Sequence, residues 1–230
     1  MRVAIIPARG GSKRIPRKNI KAFGGRPMIA WSILEAQESG CFDQILVSTD
    51  DDEIADVAKD LGADVPFRRP EALADDQTPT VPVIAHAVQW LADHGTPPEE
   101  VCCLYAAAPF VQAADLLRGL EALRNSDAAY AFPVTSFPFP IQRAVRLNSD
   151  HRVEMFYPEH SQTRSQDLPE AYHDAGQFYW GHARAWLEGL PVIGPNSTSI
   201  ILPRYRVQDI DTPEDWDRAE RLFQVLQAEG

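Results

Sequence analysis

Short apolar runs alternate with helically spaced ones through the first 130 residues of the chain. Val3–Ile6, Ile45–Thr49, Val101–Tyr105 and Ala128–Val134 are too short for helices and apolar at nearly every position, the pattern of strands buried on both faces. Between them, Pro27–Glu38 places Ile29, Ile33, Leu34 and Gln37 on one face. Asp50–Leu61 does the same with Ile54, Val57, Ala58 and Leu61, and Val81–Leu91 and Leu116–Leu123 complete the helical set. A further short strand is predicted at Asp64–Phe67 after Gly62. This alternation predicts an α/β fold, an open and mostly parallel sheet with helices on both faces.

The pattern breaks between Ser136 and Ala175. Phe137, Pro138, Phe139, Pro140, Phe156, Tyr157 and Pro158 are too apolar for a free loop and follow no helical period. The segment reads as an excursion (136–175) that packs on something outside the monomer's sheet, a second subunit; a lid folded on its own domain is the alternative. Strands resume at Gln177–Trp180, Ser199–Leu202 and Val207–Asp211. Thr212-Pro213-Glu214-Asp215 then starts a last helix, with Trp216, Ala219, Leu222, Phe223 and Leu226 on its buried face. The 230 residues are read as one domain carrying one excursion.

Charge changes this picture at one place. The formal net charge is −11, yet the loop after the first strand holds Arg9, Lys13, Arg14, Arg17 and Lys18 with no acid among them. A glycine-bearing loop at the carboxyl end of a parallel strand, concentrated in cations against the global balance, points to an anionic ligand such as phosphate. Gly10-Gly11-Ser12-Lys13 lacks the four-residue gap of a Walker A loop, and no G-x-G-x-x-G follows the strand, which argues against a dinucleotide-dependent oxidoreductase. The acidic balance argues against non-specific nucleic-acid binding. No stretch approaches a membrane span, no signal-like stretch precedes the first strand, and Cys41, Cys102 and Cys103 lack metal-ligand spacing. A reduced, cytoplasmic protein is expected.

At the other end of the chain, Asp209 and Asp211 stand two apart in an extended segment, so both carboxylates share a face. Paired carboxylates suit Mg²⁺ held jointly with substrate phosphates. For Asp211, capping of the following helix is the competing role. Phosphate loop, metal pair and open sheet together describe a nucleotidyl-transfer site, where metal and cations offset charge at an α-phosphate under in-line attack.

These residues resemble a known family. ARGGSKRIPRKN is similar to the N-terminal signature of the CMP-sugar synthetases, cytidylyltransferases for sialic-acid-type nonulosonic acids. ILVSTDDD (45–52), RPEALADD (69–76) and QDIDTP (208–213) resemble that family's later blocks, in order. The resemblance implies a Rossmann-like fold of the nucleotide-diphospho-sugar transferase type, a homodimer, and CTP with a nonulosonic acid as substrates. It places the nucleotide on Ala8, Arg9, Gly10, Gly11, Ser12, Lys13, Lys18 and Asn19, with Arg69, Thr78 and Thr80 at the cytosine and ribose. It also assigns Mg²⁺ to Asp209 and Asp211, and gives Arg9, Lys18 and Asp211 the catalytic roles. YAAAPFV (105–111) and DAGQFYW (174–180) look like the pseudaminic acid branch; Tyr105 and Ala106 replace residues more often found in N-acetylneuraminic acid enzymes. Gln142, Arg143, Gln166, His173 and Asp174 are further acceptor-side candidates. N-acetylneuraminic, legionaminic and 3-deoxy-octulosonic acids stay open as acceptors, and a nucleotide-binding module without catalysis is the rival of another class.

Overall fold

The computed structural model describes residues 1–229. The chain enters β1 (Arg2–Pro7), which runs through Pro7, and then the basic loop. A two-rung hairpin of β2 (Ala22–Phe23) and β3 (Arg26–Pro27) leads into α1 (Met28–Ser39). Next come β4 (Gln44–Ser48), α2 (Asp52–Asp60), α3 (Thr80–Asp93), β5 (Glu100–Leu104), α4 (Ala113–Arg124) and β6 (Tyr130–Ser136). The excursion holds β7 (Val145–Leu147) and β8 (Val153–Met155), and β9 (Tyr172–Asp174) brings the chain back. β10 (Phe178–His182), α5 (Ala183–Leu187), β11 (Ser197–Ile201) and α6 (Pro213–Glu229) complete the fold.

The main sheet has the order β11-β6-β10-β5-β1-β4, with β9 paired to β6. Five of the seven strands run one way and β10 and β9 run against them, so the expected mostly parallel sheet is present with an antiparallel strand inserted near its centre. Period-two alternation splits the strand residues between two cores. Ile6, Val47, Cys102 and Trp180 pack with α1 and α4 on one face, and Val3, Ile5, Cys103 and Tyr179 pack with α3 and α5 on the other. Cys102 and Cys103 thus face opposite cores, and all three cysteines are free and buried. Because α1 and α3 leave on opposite faces of β1, the carboxyl end of β1 is where the chain's direction across the sheet reverses, the usual place for a ligand crevice.

Two predicted strands are absent. Asp64–Phe67 makes one isolated bridge, Asp64 with Leu46, and Arg68 just beyond it makes another with Thr49, too few to form a ladder. Val207–Asp211 lies after a 3-10 turn and pairs with no strand; it crosses the carboxyl end of the sheet as irregular chain. A third apolar cluster, Ile15, Phe23, Met28, Phe110, Ile210, Trp216, Ala219 and Phe223, fastens that segment and α6 to the basic loop.

The excursion leaves and returns along one neck, where β6 and β9 pair from Val134–Asp174 to Ser136–Tyr172. Beyond the neck, Phe139 is 79 % exposed, and on the β7–β8 hairpin Val153 is 66 % and Leu147 63 % exposed. These side chains are largely exposed in the single chain. No helix among the described residues is long and apolar enough to cross a membrane.

Helix α4 lies close on the sheet because Gly119 has no side chain. A Cβ there would meet Phe178 Cε2 at 2.6 Å and Trp180 Cδ1 at 2.9 Å, both rings fully buried. Gly119→Ala is therefore expected to lower stability by about 1–3 kcal/mol through overpacking, despite alanine's higher helix propensity; urea unfolding of the purified variant measures it.

Candidate active site

A cleft of about 1130 Å³ opens at the carboxyl end of β1 and β5. It brings together Arg9, Ser12, Lys13, Lys18 and Asn19 from the basic loop, Arg69, Thr78 and Thr80 from the segment before α3, and Tyr105 and Ala106 after β5. Asp174 joins them from β9, and Asp209 and Asp211 from the crossing segment. Six basic and five acidic side chains line it, an excess of positive charge in a protein of net charge −11.

The basic loop is held from beneath by acids at the end of β4. Gly10 N–H donates to Asp50 Oδ1 at 3.1 Å, and a Cβ on Gly10 would lie 2.6 Å from Asp51 Oδ2, so only glycine lets the loop sit against that strand end. Asp51 also caps α2 by accepting from Ile54 N–H and binds Arg17, whose φ of 56° lies in the left-handed region. Asp50 to Asp52 thus support the loop and helix α2, and none of the three lines the cleft. Asn19 Nδ2 donates to Arg9 O at 3.0 Å and closes the loop on itself. Ala8 is fully buried, and Gly10 and Gly11 stay outside the lining, so these three shape the loop from behind.

Arg69 is 5 % exposed. Its Nε donates to Ser48 Oγ at 3.1 Å and its Nη2 to Ser48 O; burial lowers its pKa to about 10, with the Asp50 charge opposing that shift. The cytosine-side position expected for it is therefore occupied by a guanidinium already spending two nitrogens on β4. Thr78 Oγ1 donates to Asp75 Oδ1, and Thr80 Oγ1 shares a 3.2 Å hydrogen bond with Tyr105 OH. Tyr105 packs against Tyr179 with ring centroids 5.3 Å apart, and Tyr179 OH donates to Asp174 Oδ2 at 2.5 Å. Burial raises the pKa of both phenols, so they act as neutral hydrogen-bonding groups. The Thr80–Tyr105 contact thereby joins the expected nucleotide side to the expected acceptor side.

At the opposite wall, α6 begins with a reciprocal cap: Asp215 N–H donates to Thr212 Oγ1, while Thr212 N–H donates back to Asp215 Oδ2 at 2.9 Å. Asp211 N–H donates to that same Asp215 oxygen at 3.2 Å, so Asp211 is not the residue that caps the helix. The cap is Thr212, and the Asp211 carboxylate is free to face Arg14 at 2.8 Å and Lys18 at 3.5 Å. Ile210 is buried between Asp209 and Asp211, so the two carboxylates are presented together although the segment is no strand. The surrounding protein and then the Asp211 charge raise the pKa of Asp209, with Lys18 opposing. Two like charges held this close are an arrangement that a divalent cation would relieve. Among the described residues, no group of three or more His, Cys, Asp or Glu side chains forms a self-sufficient metal cage, so a bound ion would draw further ligands from substrate.

Gln142, Arg143 and Gln166 do not reach the cleft. Gln142 donates to Pro169 O and Arg143 to Thr163 O, stitching the excursion to itself, and Gln166 sits in an exposed turn. The β6–β9 neck carries residues 137–171 away, and of the excursion His173, Asp174 and Ala175 re-enter the site. Sequence reasoning missed Asp76, which binds Arg9 and Lys13, and Tyr179, which holds Asp174. Asp76 meets Arg9 across 67 positions of the chain and so carried no local signal. Tyr179 sits within an ordinary apolar strand and carried none.

An α/β crevice with a basic loop on one wall and paired carboxylates on the other is the site of a nucleotidyl-transferring protein. The sequence profile described as cytidylyltransferase matches residues 3–186, and the chain belongs to the cytidylyltransferase family. It is 46 % identical over 223 residues to the pseudaminic acid cytidylyltransferase of Campylobacter jejuni subsp. jejuni serotype O:23/36 (strain 81-176), covering 97 % of this chain and 96 % of that one. It is 30 % identical over 228 residues to the CMP-N,N'-diacetyllegionaminic acid synthase of Legionella pneumophila subsp. pneumophila, covering 98 % and 97 %. A solved CMP:2-keto-3-deoxy-manno-octonic acid synthetase complexed with CTP superposes with a TM-score of 0.69 over 100 % of this chain and 99 % of that one. At 17 % identity, that likeness speaks to the fold.

The raised pKa of Asp209 has a stability consequence. An acid with a higher pKa folded than unfolded costs stability once both states are ionised and costs nothing when both are protonated. With chelator present, Asp209→Asn is expected to raise the thermal midpoint at pH 7 and to melt like the parent near pH 3. Differential scanning calorimetry at the two pH values checks this.

Proposed function

We propose that this chain catalyses Mg²⁺-dependent transfer of CMP from CTP to pseudaminic acid, giving CMP-pseudaminic acid and pyrophosphate. The observation that carries the reading is the basic loop of Arg9–Asn19 facing Asp209 and Asp211 across one cleft, in a chain close over its length to a pseudaminic acid cytidylyltransferase. Arg9, Ser12, Lys13, Lys18 and Asn19 bind the triphosphate. Arg69, Thr78 and Thr80 lie toward the cytosine and ribose. Asp209 and Asp211 would hold Mg²⁺, which when bound supplies charge neutralisation at the phosphates.

The acceptor lies on the Tyr105–Ala106 and Asp174 side. Its anomeric hydroxyl attacks the α-phosphorus in line, the bond to the bridging oxygen of pyrophosphate breaks, and the hydroxyl proton passes to solvent. Lys18 and Arg9 offset the charge that develops on the phosphate oxygens, and the apolar floor of Ala106 and Ala107 limits competing water. With Tyr105 tied to Thr80 and Asp174 to Tyr179, few free polar groups face the acceptor, which suits a deoxygenated sugar acid. The 230 residues act as one catalytic domain in the cytoplasm, where CTP is made. Two copies join through the exposed apolar arm of residues 136–175.

Pyrophosphate release from CTP and Mg²⁺ is expected with pseudaminic acid and at least tenfold slower with N-acetylneuraminic acid. Release with the latter alone would keep the reaction and reassign the acceptor; CTP binding without release would support a module without catalysis. Asp211→Ala should abolish turnover with an unchanged circular-dichroism spectrum, and normal turnover would remove the metal assignment.

Sedimentation velocity is expected to give twice the 25.6 kDa chain mass. Phe139→Asp combined with Leu147→Asp should return it to one chain mass. A parent chain that sediments as a monomer refutes the arm's role.

A further inference from the structure

Every cation of the basic loop is engaged within the chain itself. Arg17 is committed to Asp51 and Glu53 at the start of α2, Arg14 and Lys18 face Asp211, and Arg9 and Lys13 converge on Asp76. Asp76 stands apart from the other acids. Asp51 caps a helix and Asp211 is paired with Asp209, whereas the Asp76 carboxylate has only Arg9 and Lys13 as partners among the described residues. It is open to solvent, and Lys13 and then Arg9 hold its pKa below the usual carboxylate range. Arg9 also donates to Asp75 O at 3.2 Å, and Asp75 Oδ1 in turn accepts from Gln77 N–H, Thr78 N–H and Thr78 Oγ1. The segment carrying Thr78 is therefore tied to the basic loop through one carboxylate and one carbonyl.

A carboxylate offers arginine and lysine the same charge-assisted hydrogen bonds that phosphate oxygens offer, so Asp76 occupies the cations a polyphosphate would need. Exposed ion pairs are individually weak, and a ligand with several anionic oxygens displaces one. Holding the two long side chains on Asp76 also keeps them near their working positions, which lessens the ordering that binding would otherwise require.

We propose that Asp76 is an internal counter-anion for the triphosphate. It holds Arg9 and Lys13 while the nucleotide is absent, yields them to the polyphosphate on binding, and takes them back as pyrophosphate departs. The inference rests on the placement of the triphosphate on this loop. Asp76 is thus a positioning residue that competes with the ligand it prepares for, and neutralising it strengthens polyphosphate binding and slows pyrophosphate release.

The test is titration calorimetry of the parent chain, Asp76→Asn and Asp76→Glu with inorganic tripolyphosphate, which carries no base. The expected result is about twofold to fivefold tighter binding by Asp76→Asn, the scale of one exposed ion pair, with near-parental binding by Asp76→Glu. The gap should narrow as salt rises, and cytidine should bind parent and Asp76→Asn alike. Equal or weaker tripolyphosphate binding by Asp76→Asn overturns the proposal alone. Absence of tripolyphosphate binding to all three proteins overturns the placement of the triphosphate on this loop and the proposal with it.

Discussion

Ile15 and Ile210 come from opposite ends of the chain and bury themselves, each 2 % exposed, in one apolar cluster with Phe23, Phe110, Trp216 and Phe223. The cleft depends on that contact. Ile15 sits in the middle of the basic loop and Ile210 lies between the two aspartates, so packing them together sets the cations opposite the carboxylates. Aromatic edge contacts reinforce it: Phe23 meets Trp216 and Phe223 with ring centroids 5.2 Å apart in each case. The sheet supplies the strand ends, while this small satellite core turns them into a two-walled site.

The electrostatics of the cleft follow from what that packing brings together. A loop of five cations would repel itself if left open to a low-dielectric crevice. The fold distributes those charges over Asp51, Glu53, Asp76 and Asp211, all of them far away in sequence. The same arrangement leaves Asp209 without a cation of its own. Repulsion between Asp209 and Asp211 is a cost in the unliganded chain that a divalent ion and a polyphosphate together would remove. Stability is given up at the site where binding is to be gained.

The expected acceptor side carries one carboxylate, Asp174, among neutral hydroxyl groups. Tyr105, Thr80, Tyr179 and Asp174 come from four elements and form two hydrogen-bonded pairs over the sheet's end, with burial keeping both phenols protonated. Most of the charge in the cleft lies on the basic loop and the paired aspartates, and on the reading proposed above the sugar side would discriminate by shape and by hydrogen bonds already spent.

The sequence by itself determined the sheet strands, the main helices and the basic loop, because each is a local pattern: apolar runs of strand length, helical spacing, and cations massed against a negative background. Pairing and exposure were beyond it. Asp64–Phe67 and Val207–Asp211 read as strands but lack a neighbour to ladder with, and β10 runs antiparallel where alternation alone suggested a parallel sheet. The side-by-side aspartates were legible because burial of Ile210 preserves a two-residue alternation even without a strand. Gln142 and Gln166 lie outside this chain's own cleft, and only the β6–β9 pairing shows which part of the excursion turns back to it. Asp76 gained its role from partners on the basic loop, 67 positions away for Arg9, whereas Tyr179 gained its role from Asp174 on β9, only 5 positions before it. Local patterns fix what each segment tends to be; which segments meet is decided by long-range packing of a few apolar side chains, and the site lies where they meet.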